Sequence, residues 1–395
     1  LISMISYSQS QRNQMDFELG NGMTISTNNG KQVLNLGGYI STNASYYGFE
    51  NSQSQKRGDV NNALIHVKGN FSDEKLSFLL QMDLTDPYPL LDAWASYTPV
   101  EWLKITTGQK QSFSGSRSMM FQEQTRALDN HSLANRTFFL SGRELGLFLE
   151  SRLSIGGVGL DLGAAVTSGD GRNSFGESST DFDLGGLKYS GRVTLFPLGH
   201  FTGDNDLTGT DFAREKSVKI ALGSAFSYNQ GASNSIGEGH GDFTLYNKDG
   251  AMNYPDYQKL SIDLLMKYQG FTFLAEYINA TANNLDDLYR AESGMSQLYN
   301  KDIADYLKLG NGLNVQLGYL LKSNWAVDVR YSTITPEWKD YKTLIDNRTE
   351  CTVGIAKYFV DNRLKIQLLG SYLDTPDNVT DKNAFQVTLN MHVVF

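Results

Sequence analysis

The chain has one cysteine, Cys351, and seven prolines in 395 residues. A single thiol excludes an intrachain disulfide and any zinc site built from several cysteines. No run of about 18 apolar residues occurs, so no segment reads as a transmembrane helix. Basic residues are outnumbered, 34 against 43 acidic ones, for a formal net charge of −9. That balance argues against nucleic acid as a main partner. Histidine is scarce, at positions 66, 131, 200, 240 and 392 only. His131 and His240 fall on loops with no ligand at metal spacing, so no metal and no other cofactor is expected. Gly237-Glu-Gly-His-Gly241 lacks a strand-to-helix setting and fits no phosphate-binding fingerprint; it reads as a flexible loop tip. No serine, histidine and acid set is marked out for a hydrolase, so the chain reads as a non-enzyme.

What is present is alternation. In residues 385–395, Phe385, Val387, Leu389, Met391, Val393 and Phe395 share one face of a strand. Gln386, Thr388, Asn390 and His392 share the other, because side chains alternate with period two. The same pattern recurs at 33–47, 63–71, 76–84, 91–98, 102–110, 145–149, 158–162, 187–195, 218–222, 260–266, 271–277, 313–319, 325–331, 351–359 and 364–368. A tilted strand of about ten residues crosses a bilayer, and a negative mean hydropathy is compatible with that because every second residue faces water. Only helices and closed barrels satisfy all backbone polar groups in lipid. The connections alternate as well, long near 48–59, 111–142, 168–185, 228–257, 280–310, 333–347 and 374–383, and short between them except at 197–215. Short turns on one rim and long loops on the other are the habit of outer-membrane barrels. No blade motif repeats, which excludes a propeller.

The expected fold is therefore all-β: a transmembrane antiparallel β-barrel of about 16 strands over residues 32–395. Residues 1–31 read as a leader, turn-rich over 12–31, with residues 1–11 a possible signal-peptide remnant. Aromatics near strand ends, among them Tyr97, Trp102, Tyr319, Trp325, Tyr358 and Phe359, suit interfacial girdles. The aromatic Phe395 is read as a membrane-assembly signal. Residues 284–307 carry apolar side chains at helical spacing and suggest a short helix in an outer loop.

Polar neighbours of the lipid-facing residues must face the lumen. Bases there include Lys188, Arg192 and Lys219, expected on the lumen wall, and acids include Asp92, Glu150 and Asp263. Segment 111–142 holds Arg117, Arg126 and Arg136, with Lys110 just before it and Arg143 just after. It also holds Met119, Met120, Phe121, Phe138 and Phe139, more large apolar groups than an exposed loop normally carries. Folding it into the lumen buries them and sets Lys110, Arg117, Arg126, Arg136 and Arg143 at a constriction. Guanidinium forks there suit phosphate-like or carboxylate anions. The blander reading is a loop packed over the barrel mouth with solvated arginines, and wall charges that merely pair.

Four stretches resemble the phosphate-selective porin O/P family of Gram-negative outer membranes. Phe17–Tyr39 is similar to its opening turn-strand-turn-strand pattern ending in Gly-Gly-aromatic, and Asp92-Ala-Trp94 to its Asp-Ala-aromatic strand. Thr107-Gly-Gln-Lys-Gln-Ser-Phe-Ser-Gly115 resembles its Gly-Gln-aromatic-Lys-x-Pro-Phe-Gly segment, and Arg143-Glu-Leu-Gly146 its Arg-x-x-Gly strand entry. Lys110 follows Gln109 without the intervening aromatic, and Ser112 stands at the proline. The resemblance implies a 16-stranded, usually trimeric barrel whose third loop folds inward and whose Arg and Lys guide anions. The expectation is an outer-membrane porin for passive diffusion of small anionic solutes. Its partners are outer-membrane lipid, small anions, and either copies of itself in a homotrimer or other envelope proteins. The alternative is a plugged barrel acting as a subunit of a larger envelope complex.

Overall fold

A computed structural model describes residues 14–27, 31–71, 75–172, 185–239, 241–339, 341, 343–360, 362–378 and 380–395. The signal-remnant reading of residues 1–11 and most of connection 168–185 lie outside the described residues. Every one of the alternating segments is a strand. In chain order the strands are β1 Gln14–Glu18, β2 Gly22–Thr27, β3 Gln32–Phe49, β4 Gln55–Phe71, β5 Leu76–Asp83 and β6 Leu90–Val100. There follow β7 Leu103–Gln111, β8 Arg143–Ile155, β9 Val158–Thr167, β10 Lys188–Phe196, β11 Lys219–Asn229 and β12 Asp256–Tyr268. The last six are β13 Phe271–Asn283, β14 Gly310–Leu320, β15 Trp325–Pro336, β16 Arg348–Tyr358, β17 Leu364–Asp374 and β18 Asn383–Val394.

From β3 onward each strand pairs antiparallel with the next, and β18 returns to β3, with Ala384 opposite Phe49 and Val394 opposite Tyr39. The result is a closed 16-stranded barrel, β3 to β18. β1 and β2 form a hairpin outside that count. β2 pairs with the start of β3, Met23 opposite Leu36, and so continues below β18 along the same edge. Glu18 of this hairpin bonds Arg363 in the β16–β17 turn at 2.8 Å.

The closing seam ends where Phe395 and Gly38 exchange backbone hydrogen bonds of 2.9 and 2.8 Å. A Cβ on Gly38 would lie 2.5 Å from the Phe395 ring and 2.7 Å from the Leu64 carbonyl oxygen. Gly38→Ala is therefore expected to destabilise the barrel by about 1–3 kcal/mol, the usual cost of overpacking. Equilibrium unfolding of the refolded barrel in urea measures it, and an unchanged midpoint would show that the seam yields freely.

Outside, the strands present an apolar band: Leu222, Phe226, Ile262, Leu317, Val353, Leu368 and Leu389 are all exposed. Two aromatic rings flank it. Tyr97, Trp102, Tyr319, Trp325 and Phe359 are exposed at the short-turn rim, and Tyr189, Tyr277, Tyr331, Tyr372 and Phe385 near the long-loop rim. An apolar belt between two aromatic girdles is the lipid-facing surface of a membrane barrel. Tyr358 does not join a girdle. It points inward, is buried, and takes Phe212 edge-on at 5.1 Å.

The helix expected within 284–307 is not formed. Asp287, Gly294 and Ser296 have φ of 59°, 67° and 67°, which a right-handed helix does not allow. Only Asn300–Asp305 forms a 3-10 turn, and Tyr289 bridges to Tyr246 and Gln297 instead. The apolar residues are nonetheless buried. Leu288, Leu298, Ile303 and Leu307 pack with Leu245 and Ile345 from neighbouring outer loops, in a cluster that reaches down to Phe138 and Phe139.

The inner strand faces are polar yet buried, as at Gln367, Thr388, Asn390 and His392. Something fills the lumen beside them.

Candidate channel and constriction

Two connections fill it. The first, 112–142, turns inward from β7. It contains 3-10 turns at Arg117–Met120 and Glu123–Thr125 and one helix, α1, at Leu133–Phe138. Ser132 caps α1 by accepting from the Asn135 amide at 3.2 Å. Met119, Phe121, Phe138 and Phe139 are buried, so the apolar residues do anchor the loop. Polar pins fix it to the wall: the Ala134 amide donates to Ser332 at 3.0 Å and the Ser118 amide to Glu276 at 2.7 Å. Arg117 Nε meets Asp263 at 2.9 Å, and Arg192 bonds the same carboxylate and also the Gly115 carbonyl at 3.0 Å. Arg136 and Arg330 both hold Glu350, and Lys365 holds Asp129.

The second filler, 197–218, rises from the opposite rim between β10 and β11. Lys267 Nζ is buried and gathers it, donating to the carbonyls of Asn205 at 2.6 Å, Thr208 at 2.8 Å and Thr210 at 3.0 Å. Its Gly209 amide donates to the Thr125 carbonyl at 2.8 Å, so the two fillers meet inside the barrel.

Between the inward loop and β3–β6 a cavity of about 690 Å³ remains. Its lining starts with Asn21 and Asn35 at the short-turn rim, passes Tyr39, His66 and Gln81, and reaches Asp86 and Arg172 among the outer loops. At mid-height Arg143 bonds Asp92 at 2.9 Å and Glu123 at 3.2 Å, while Arg126 stands 4.0 Å from Glu123. Burial alone would raise the Glu123 carboxyl; the guanidiniums of Arg143 and Arg126 outweigh it and hold the group below the usual carboxylate range. Arg172 pairs with Asp86 at 2.5 Å. The Asp83 carboxylate is saturated by the Ala63 and Thr85 amides, each at 3.0 Å, and by Asn62 at 2.8 Å.

Of the residues expected at the constriction, Arg126 and Arg143 face this cavity. Lys110 lies behind it, paired with Glu150 at 2.8 Å and 5.5 and 5.4 Å from the ring centres of Phe113 and Phe148. Arg117 sits in the seam between loop and wall, and Arg136 on the Glu350 side of α1. On the wall, Lys188 is buried against Glu144 and Arg192 against Asp263. Lys219 donates to the Leu198 carbonyl at 2.8 Å.

Sequence reasoning missed Arg172 and Glu238. Residues 237 and 238 are no flexible tip: buried Glu238 accepts from the Leu140 amide at 2.9 Å, the Gly142 amide at 3.1 Å and Lys259 at 2.6 Å. It clamps the end of the inward loop. The signal in the sequence was an acid flanked by glycines together with Lys259, which the alternation of β12 turns inward. Among the described residues no group of His, Cys, Asp and Glu is arranged to hold a metal.

No family model matches the chain, and no curated protein matches it. Solved structures do. An anion-selective porin from Comamonas acidovorans is 10% identical, with a TM-score of 0.55 over 92% of this chain and 100% of that one. The outer membrane channel DcaP of Acinetobacter baumannii is 12% identical, with a TM-score of 0.55 over 92% and 97%. OprB of Pseudomonas putida is 10% identical, with a TM-score of 0.55 over 92% and 94%. The chain is similar to these in fold, a closed β-barrel of the kind found in outer membranes. The similarity carries nothing on phosphate.

Proposed function

We propose that the chain is an outer-membrane porin of a Gram-negative envelope, passing small polar solutes by diffusion with a bias toward phosphate-like anions. The observation that carries this reading is the polar-lined cavity reaching from one rim to the other beside a pinned loop. It carries out no chemical step, and weak contacts along the lining are what permit flux. The anion bias rests on Arg126, whose buried Nε hydrogen-bonds no described residue, and on Lys68, an exposed lining residue with no described ion pair. Arg143 and Arg172 are matched by acids and contribute less.

The zero-current potential in a salt gradient tests the bias. Arg126→Glu is expected to move it toward cations by replacing the less neutralised of the two throat guanidiniums, Arg126 and Arg143, with an opposite charge. If the potential is the same in both proteins, Arg126 does not set the field. A homotrimer is proposed on the resemblance and is checked by mass in mild detergent. Absence of conductance steps from folded barrel, with reproducible co-purification of other envelope chains, would favour the plugged-subunit reading instead.

A further inference from the structure

Behind the constriction loop lies a second, much smaller pocket. It sits between residues 126–132 of the inward loop and strands β14 and β15, with a volume of about 20 Å³. That is room for one particle of water size, since about 10–15 Å³ measured this way suffices. Two arginines, Arg126 and Arg330, are among its lining residues, and no Asp or Glu is. Buried donors and charges are costly without a partner. We propose that this pocket binds one small monovalent anion of the halide class, chloride in practice, between Arg126 and Arg330.

Arg330 shows why the pocket is anionophilic. Its side chain is 2% exposed. Nη1 and Nη2 are taken by the Asn130 carbonyl at 2.8 Å, Asn130 Oδ1 at 3.0 Å and Glu350 at 3.2 Å. Its Nε is buried and hydrogen-bonds no described residue, and the same holds for Arg126 Nε. His131, on the same lining, is pushed well below its ordinary value by burial and then by Arg126 and Arg330. A neutral imidazole adds an N–H donor without a third repelling charge. Room for one water-sized particle favours a monatomic ion over phosphate, sulfate or carboxylates, which need space for several heavy atoms. A competing consideration is Asn314 Oδ1, also buried without a described partner, an acceptor that favours water. Because Arg126 lines both pockets, an anion here would lower the positive field that the channel feels at its throat. The site itself does not depend on whether the channel conducts.

Bromide-soaked crystals of the full chain give the direct test. An anomalous peak in the pocket, absent from Arg126→Gln crystals, is expected. A pocket holding water density without anomalous signal, or a peak indifferent to Arg126→Gln, overturns the proposal. In solution, the unfolding temperature should rise with sodium chloride relative to sodium gluconate at equal ionic strength, as expected for a ligand of the folded state. Arg330→Gln and Arg126→Gln should abolish the difference. An unaltered barrel that melts identically in the two salts also overturns it, so the result stands even if one variant fails to fold.

Discussion

Asp263→Asn is expected to release the inward loop and raise single-channel conductance. Asp263 is the shared anion for Arg117 and Arg192, whose side chains are 1% and 4% exposed. The substitution keeps the volume and removes the charge, leaving two buried guanidiniums facing an amide. Breaking a buried ion pair from one side costs about 3–5 kcal/mol, because the remaining charge stays desolvated. The barrel wall, held by its ladder, can survive that loss; the loop can avoid it by letting Arg117 swing into water. Conductance steps that grow larger and noisier, with a modest fall in the urea midpoint, are the expected pair of results. Steps of unchanged size would mean that the apolar anchors and Glu276 hold the loop without the ion pair.

Lys267→Met should act from the other rim. Its ammonium satisfies three carbonyls of the second filler and the Thr208 hydroxyl at 2.7 Å. A thioether fills similar space but donates nothing. Each buried acceptor left unmet costs about 1–3 kcal/mol, so segment 197–218 is expected to leave the lumen. With it goes the Gly209–Thr125 contact that supports the inward loop from below. Limited proteolysis should then cut within 197–218 in the variant and spare the parent protein. Equal resistance in both would show that Arg214, bonded to the Leu320 carbonyl at 2.8 Å, and Phe212 suffice to hold the segment.

These two residues also mark the limit of what the sequence discloses. Period-two alternation located all the barrel strands because lipid on one side and a polar lumen on the other impose the same rule on each. The inward loop was legible from Met119, Phe121, Phe138 and Phe139, apolar groups that water would not tolerate together. Asp263 and Lys267 could be assigned to the lumen face by parity alone. Their partners could not, since Arg117 lies 146 residues from Asp263 and only the folded loop brings them together. Segment 197–218 buries Phe201 and packs Phe212 on Tyr358, but these few apolar groups lie among glycines, acids and threonines and most of its fixing is by hydrogen bonds, so its hydropathy did not separate an inward plug from a long solvated turn. Of the hairpin β1–β2, composition displayed only turn residues; the resemblance over Phe17–Tyr39 implied a short strand at β2 but not its partner β1. In 284–307 the apolar residues are buried but the expected helix is absent, because apolar spacing alone cannot register the left-handed residues at 287 and 296.

The seam between β3 and β18 has a consequence for how the molecule comes together. Its side-chain contact between Ser45 and Thr388, at 2.9 Å, joins positions 343 residues apart. Such long-range closure is slow, and until it forms β3 offers a bare edge to any neighbouring chain. The hairpin covers the lower part of that edge through pairings close in sequence, such as Met23 with Leu36, which need no distant strand. It leaves free only the stretch that β18 will take. A slip of β18 toward the short-turn rim would drive Phe395 into the residues already paired with β2. The hairpin is thus a doorstop: it lets the last strand zip up in one register and blocks mispairing in that direction.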